Sequence, residues 1–216
     1  MDHTNSIKVW DIAVRVFHWS LALAFTIAWL SEDDFEDLHV IAGYTVLGLI
    51  CFRVIWGFIG SKYARFSDFV YSPAEIRQYL KGMMRANPKH YFGHNPAGGA
   101  MVIMLLVSLF ATTLTGLKVY GIEGHGPLAQ AGGASSLVAI SPITNAYADD
   151  DKDRKKENKN PAEEFWEETH EVFSNISLFL VIFHILGVLF SSMIENENLV
   201  KAMITGRKKI PPNDTD

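Results

Sequence analysis

Two histidines near the end of the chain, His170 and His184, stand fourteen residues apart in Glu168-Thr-His-Glu-Val-Phe-Ser-Asn-Ile-Ser-Leu-Phe-Leu-Val-Ile-Phe-His184. On a helix, fourteen residues make ~3.9 turns and rise ~21 Å, so both imidazoles share one face at two heights. One then falls toward each side of a hydrocarbon core ~30 Å thick. Histidine within a membrane helix is costly and marks function. Imidazoles at two heights on one helix suit the axial ligands of two stacked haems, provided the rest of the chain supplies a partner histidine at each height.

The elements that must position them are four apolar runs. Span one covers residues 12–31, with Arg15 near its start placed to snorkel outward and His18 about one turn later. The acidic link Glu32-Asp-Asp-Phe-Glu-Asp37 is so short that spans one and two must be antiparallel neighbours. Span two, residues 38–60, opens with His39 and is interrupted only by Arg53. A basic connection, 61–96, follows. Within it Ser72-Pro-Ala-Glu75 has the N-cap serine and first-turn proline of a helix start, so an interfacial helix is expected at about 73–84. Asn95-Pro96 repeats that signal before span three, residues 97–117, which contains no charged residue. Residues 118–165 are expected to form an extramembrane loop, and its mixed charge run, 149–160, to be solvated and disordered. Asn145-Ala-Tyr-Ala148 has the look of a signal-peptidase site, but the short apolar stretch before it contains Pro142. Span four covers about 166–194, ahead of a basic tail with Lys201, Arg207, Lys208 and Lys209. The first apolar run starts late and is followed by others, so it is expected to be a span and not a removable signal. The expected fold is a single domain, residues 1–216: an all-α integral membrane four-helix bundle with two b haems in its core.

Four spans put both termini on one side. That side carries twelve Lys and Arg, against six on the other, five of which lie in the mixed charge run beside four aspartates. The positive-inside rule then places both termini in the cytoplasm. His18 lies early in an outward-running helix and His184 late in an inward-running one, so both are near the cytoplasmic side. His39 and His170 each open an inward-running helix, near the periplasmic side. The thirteen residues from His18 to Ser31 rise ~20 Å, matching the drop from His170 to His184. The pairs are therefore His18 with His184 (inner) and His39 with His170 (outer).

Interhelical hydrogen-bonding or proton-relaying histidines are the plain alternative. A zinc or copper site is disfavoured, because the two pairs are too far apart to share one tetrahedral centre. The lone Cys51 cannot form an intramolecular disulfide, an iron–sulfur cluster or a C-x-x-C-H attachment, so any haem is held non-covalently and Cys51 is expected to be a small buried hydrophobe. Ala22, Gly43, Ser174 and Gly187 lie about one turn from the four histidines and leave room for a flat macrocycle or for close helix packing. Arg53, fourteen residues after His39, shares its face at the inner height and could pair with a haem propionate or snorkel to the interface. His94 could meet a propionate or a quinone headgroup, or be an ordinary interfacial histidine. His3, His90 and His125 are expected to be solvated. The net charge of −5 argues against a nucleic-acid partner.

The chain resembles the prokaryotic four-helix dihaem cytochromes b: the cytochrome b-561 proteins and the cytochrome b subunits of nickel–iron hydrogenases. The matching segments are Val9-Trp-Asp11 with Phe17-His-Trp19, Leu38-His-Val-Ile-Ala-Gly-Tyr44, Phe52-Arg-Val-Ile-Trp-Gly-Phe-Ile-Gly60 with Ala64-Arg-Phe66, Gly93-His-Asn-Pro-Ala-Gly-Gly99, then His170 and His184. The resemblance implies the same four ligands and a quinone site beside one haem. Two histidines on each iron leave no open position, so such a protein moves single electrons. The expected function is electron transfer across a bacterial inner membrane between a periplasmic partner, a c-type cytochrome or a dehydrogenase subunit, and the quinone pool. The chain would then be an electron-transfer subunit and not a stand-alone enzyme. The alternatives are a self-contained quinone-linked oxidoreductase acting on a small molecule at the outer haem, and a transporter or structural membrane protein without cofactor.

Overall fold

The computed structural model describes residues 6–32, 35–85, 89–129, 161–195 and 197–209. In chain order the elements are β1 (Ser6–Lys8), α1 (Ile12–Leu30), α2 (Glu36–Ile59), a 3-10 turn (Lys62–Ala64), α3 (Phe66–Phe69), α4 (Pro73–Met84), α5 (Pro96–Ile122), α6 (Pro161–Ile194), α7 (Leu199–Thr205) and β2 (Arg207–Lys209). Helices α1, α2, α5 and α6 are each long and apolar enough to cross a membrane. The all-α membrane bundle expected from the sequence is what forms.

Helix α5 continues five residues past the expected end, and α6 begins five before Trp166. Its 34 residues span ~51 Å, well beyond a hydrocarbon core of ~30 Å. The extension is polar: Pro161 opens the helix, and Glu163 and Glu164 lie in the first turn, where the helix dipole favours negative charge. Apolarity marks the membrane, and the helical hydrogen bonds do not stop there. The charge run 149–160 and Asn145–Ala148 lie outside the described residues.

The ends of the helices are fastened at one level. Asp11 caps α1 by accepting from the Val14 N–H at 2.7 Å. Its other oxygen accepts from Trp56 Nε1 at 3.1 Å and from Ser61 Oγ at 2.5 Å, which ties the start of α1 to the end of α2. Ser72 and Glu75 form a capping box on α4. The hydroxyl of Tyr79 on α4 donates to Glu195 Oε1 at 2.7 Å, just past the end of α6.

The segments at the two ends of the chain, which the sequence offers as separate tails, pair with one another. β1 and β2 form an antiparallel ribbon in the register Ser6 with Lys209 and Lys8 with Arg207. The turn before it needs Gly206, whose φ is 78°. Its carbonyl accepts from the Val9 and Trp10 amides at 2.9 and 3.1 Å. The Arg15 guanidinium, near the start of α1, donates to the Ile204 carbonyl in the last turn of α7.

A buried cluster of Phe17, Ala24, Val46, Ile50, Leu106 and Leu109 joins α1, α2 and α5. Most other large apolar side chains on the spans face outward, as in Phe58, which is 71% exposed. Cys51 is exposed on the same outer surface of α2 and is not the buried hydrophobe expected. In a bilayer, burial in lipid replaces burial in protein, and hydropathy does not distinguish the two.

Candidate functional site

The short link after α1 sets His39, in the first turn of α2, against the end of α1. Its Nδ1 lies 2.8 Å from the Ala28 carbonyl, which belongs to a last turn whose carbonyls lack full helical partners. Across from it on α6, His170 has its Nδ1 2.9 Å from the Thr112 carbonyl and 3.1 Å from Thr115 Oγ1, both on α5. A carbonyl can only accept, so Nδ1 carries the proton in both rings and each Nε2 keeps a free lone pair. The two ring centroids are 6.1 Å apart with planes at 90°.

His18 on α1 and His184 on α6 form the second pair, with centroids 6.3 Å apart and planes at 56°. His18 Nδ1 is buried with no hydrogen-bond partner among the described residues. The Trp19 ring meets His18 edge-on at 5.1 Å.

These separations are wider than a direct hydrogen bond between the rings. Two imidazoles joined directly by a hydrogen bond have nitrogens ~2.9 Å apart, which puts the ring centres ~5 Å apart. Two imidazoles on opposite sides of one metal ion, at ~2.0 Å each with the ring centre ~1.1 Å behind the nitrogen, have centres ~6.2 Å apart. The observed 6.1 and 6.3 Å exceed the first distance and leave room for one metal ion between each pair of rings.

Beside the outer pair lies a cleft with about 780 Å³ of empty space, including its open mouth, bordered by His39, Gly43, Leu109, Gly116, His170 and Ser174. A Cβ built on Gly43 meets nothing within 4 Å, and the same holds at Gly187 beside His184. Gly43 and Ser174 thus border open space, as the sequence suggests, and Ala22 is exposed one turn from His18. The residues present fit a flat macrocycle with a central metal.

Arg53 is 2% exposed, so it does not snorkel to an aqueous interface. Its guanidinium lies over the Phe66 and Phe69 rings at 5.3 and 5.5 Å, and Nη1 is buried without a hydrogen-bond partner among the described residues. A buried cation with an unused donor is costly unless an anion meets it. The His94 ring packs between Trp10 and Phe69, at 4.5 Å from each. Its Nδ1 is likewise buried and unpartnered, and its carbonyl accepts from the Tyr71 hydroxyl at 3.0 Å. Burial first, then the positive charges of Arg53 and Lys208, push the His94 imidazole down to about 3, so it is neutral at physiological pH. His90 is half-buried with an enclosed Nδ1 and is not the solvated histidine expected. His125 is exposed and stacks on Tyr120. His3 lies outside the described residues.

Three α5 residues at the site carry no obvious chemistry in the sequence: Thr112, Thr115 and Gly116. Their signal is spacing, because positions i, i+3 and i+4 line one face of a span without charge. A Cβ on Gly116 would lie 2.9 Å from His170 Cε1, so only glycine lets that ring approach α5 so closely. At the same end of the bundle the carboxylates of Glu123, Glu163 and Glu167 come within 4.8 Å of one another. Burial, then the negative charges of Glu36, Glu163 and Glu167, raise the Glu123 carboxyl above its ordinary value.

A family model described as prokaryotic cytochrome b561 matches residues 9–206. A probable Ni/Fe-hydrogenase B-type cytochrome subunit of Rhodobacter capsulatus is 28% identical over 56% of this chain and 57% of its own length. A protein of the same description from Azotobacter vinelandii is 28% identical over 56% of this chain and 62% of its own. The chain thus spans about three-fifths of the length of these curated relatives. No solved structure matches.

Proposed function

This chain belongs to the prokaryotic cytochrome b561 family, and from that premise we propose a dihaem electron carrier in a bacterial inner membrane. The family implies haem b, which when bound supplies a one-electron Fe(III)/Fe(II) couple. His18 and His184 would hold one iron and His39 and His170 the other. The observation that carries this assignment is the pair of ring separations, 6.3 and 6.1 Å, each leaving room for one metal ion. Two imidazoles on each iron would suit single-electron transfer and not the binding of dioxygen or substrate. Arg53, with its unused buried Nη1, would meet a propionate at the inner site. His94, neutral and close by, serves the same propionate or a quinone headgroup.

The cationic terminus side supports cytoplasmic ends for the chain. The outer pair then lies toward the periplasm, where Glu36, Glu123, Glu163 and Glu167 make the end of the bundle acidic. An acidic rim suits a protein partner with a basic face, and a small anionic substrate poorly. The partner is a redox protein, a c-type cytochrome or the catalytic subunit of an enzyme such as a hydrogenase, as the relatives' descriptions suggest. Electrons pass between it and the quinone pool.

The test is haem per polypeptide, by pyridine haemochrome on detergent-purified protein. Two b haems with low-spin spectra are expected, falling to about one in His170→Ala and in His184→Ala. A wild-type protein with one haem or none, or either variant keeping two, would overturn the assignment.

A further inference from the structure

The two histidine pairs are seated differently. On α5, Gly116 opens a place against the helix backbone for the His170 ring. The Nδ1–H of that ring meets two acceptors there, the Thr112 carbonyl at 2.9 Å and Thr115 Oγ1 at 3.1 Å. Thr115 has a single hydroxyl proton, and its oxygen lies 3.0 Å from the Ala111 carbonyl and 2.9 Å from the Thr112 carbonyl. Both carbonyls can only accept, so the hydroxyl proton points back into α5. A threonine lone pair is therefore left facing His170. At the inner pair, His18 Nδ1 is buried and has no acceptor among the described residues.

We propose that Thr115 is a positioning residue that, together with the Thr112 carbonyl, polarises His170 and so lowers the midpoint potential of the outer haem. This inference rests on His170 being an iron ligand. A second acceptor on Nδ1–H draws the proton away from the ring and raises the basicity of Nε2. A more basic axial ligand stabilises Fe(III) over Fe(II), and outer hydrogen bonding is among a protein's levers on haem potential. His39 adds a single carbonyl acceptor in the same sense, at 2.8 Å. At the inner pair, His18 has no such acceptor among the described residues.

Thr115→Val keeps the shape of the side chain and removes the acceptor. In a redox titration of the purified holoprotein, the outer component should become easier to reduce by about threefold in its equilibrium constant, which is ~28 mV upward at 59 mV per decade for one electron. The inner component should stay in place, and Thr115→Ser should restore the wild-type outer midpoint. A merely structural threonine would move neither midpoint or both together. The outer component is identified as the one that disappears in His170→Ala. If His170→Ala keeps both haems, the ligand assignment fails. If it loses one and Thr115→Val leaves the surviving outer midpoint unmoved, the inference about Thr115 fails alone. Should the valine protein lose haem, Thr115→Ala replaces it. The alanine protein must show the same upward shift, and an unshifted outer midpoint there overturns the proposal.

Discussion

Replacing Asp11 by alanine removes three hydrogen bonds at once from the seam between α1 and α2. One is the cap on the Val14 amide, and the others come from Trp56 Nε1 and Ser61 Oγ. A lost N-cap costs about 1 kcal/mol. Hydrogen bonds to a charged acceptor contribute about 1.5–3 kcal/mol each, but the three share one half-buried carboxylate and do not add fully. The expected cost of Asp11→Ala is therefore about 3 kcal/mol. For a chain of this size that is a fall of roughly 6–12 °C in Tm. Asp11→Asn keeps a cap oxygen but offers an N–H₂ where Trp56 and Ser61 donate, so about half that loss is expected. The assay is thermal unfolding of the detergent-purified holoprotein, followed by haem absorbance and tryptophan fluorescence together.

The pH dependence separates the carboxylate from simple packing. Burial works to raise the Asp11 carboxyl, but the hydrogen bonds from Ser61, Val14 and Trp56 outweigh it and hold it below its ordinary value. A depressed carboxyl stabilises the fold above the unfolded pKa of ~3.9, and that contribution is lost as pH falls through the lower folded value. The gap in Tm between wild type and Asp11→Asn should thus be constant from about pH 7 to 5 and close below about pH 4. An Asp11→Ala protein melting within 1 °C of wild type, or a gap that persists in acid, would refute this account of the seam.

Two other substitutions test separate parts of the molecule. Arg53→Leu removes the buried cation with the unused Nη1, and it should either cost the inner haem or make the inner couple about tenfold harder to reduce, ~59 mV downward. Full haem content with both midpoints unchanged would exclude a propionate role for Arg53. Gly206→Ala forces a side chain into φ 78° and places its Cβ 2.6 Å from the Trp10 carbonyl oxygen. It should cost about 2 kcal/mol and open the terminal ribbon. Limited proteolysis after Gly206 should accelerate, and a tail as resistant as wild type would count against that strain.

The four spans and the pairing of the histidines were legible because both follow from simple periods. Apolar length marks a crossing, and helical rise carries His170 to one height and His184 to the other. Buried orientation was not legible in the same way. Cys51, expected to be buried, is exposed, and hydropathy ranks lipid and protein interior alike. Long-range pairing of short polar segments was also out of reach. Six residues, Ser6–Lys8 and Arg207–Lys209, form the ribbon, and neither strand has the alternating pattern that announces one. Trp10 and Asp11 are a different case. The resemblance marked them as a motif, and the structure gives the physical reason, since Trp10 packs on His94 and Asp11 fastens two helices.

The packing of the bundle bears on why those histidines sit where they do. Helix α1 packs on α2 and α5 on α6, as two antiparallel hairpins, with α2 running along α5. Helix α6 is the most apolar of the four spans and the least buried in protein. Yet it supplies one histidine to each pair, reaching α1 through His184 and α2 through His170. Side chains close-pack the seam of Phe17, Val46, Ile50, Leu106 and Leu109, but beside His39 and His170 they leave a cleft of about 780 Å³. A concave, mostly apolar cleft with a few polar groups at its wall is where small ligands bind. Under the proposed ligand set, the group between the hairpins fills the role that core side chains fill elsewhere. Binding it and holding α6 against α1 and α2 are then one linked equilibrium. Small residues such as Gly43 and Gly116 are in this view part of the same design as the ligands. Gly43 leaves the space, and Gly116 lets the ring that borders it lie against α5.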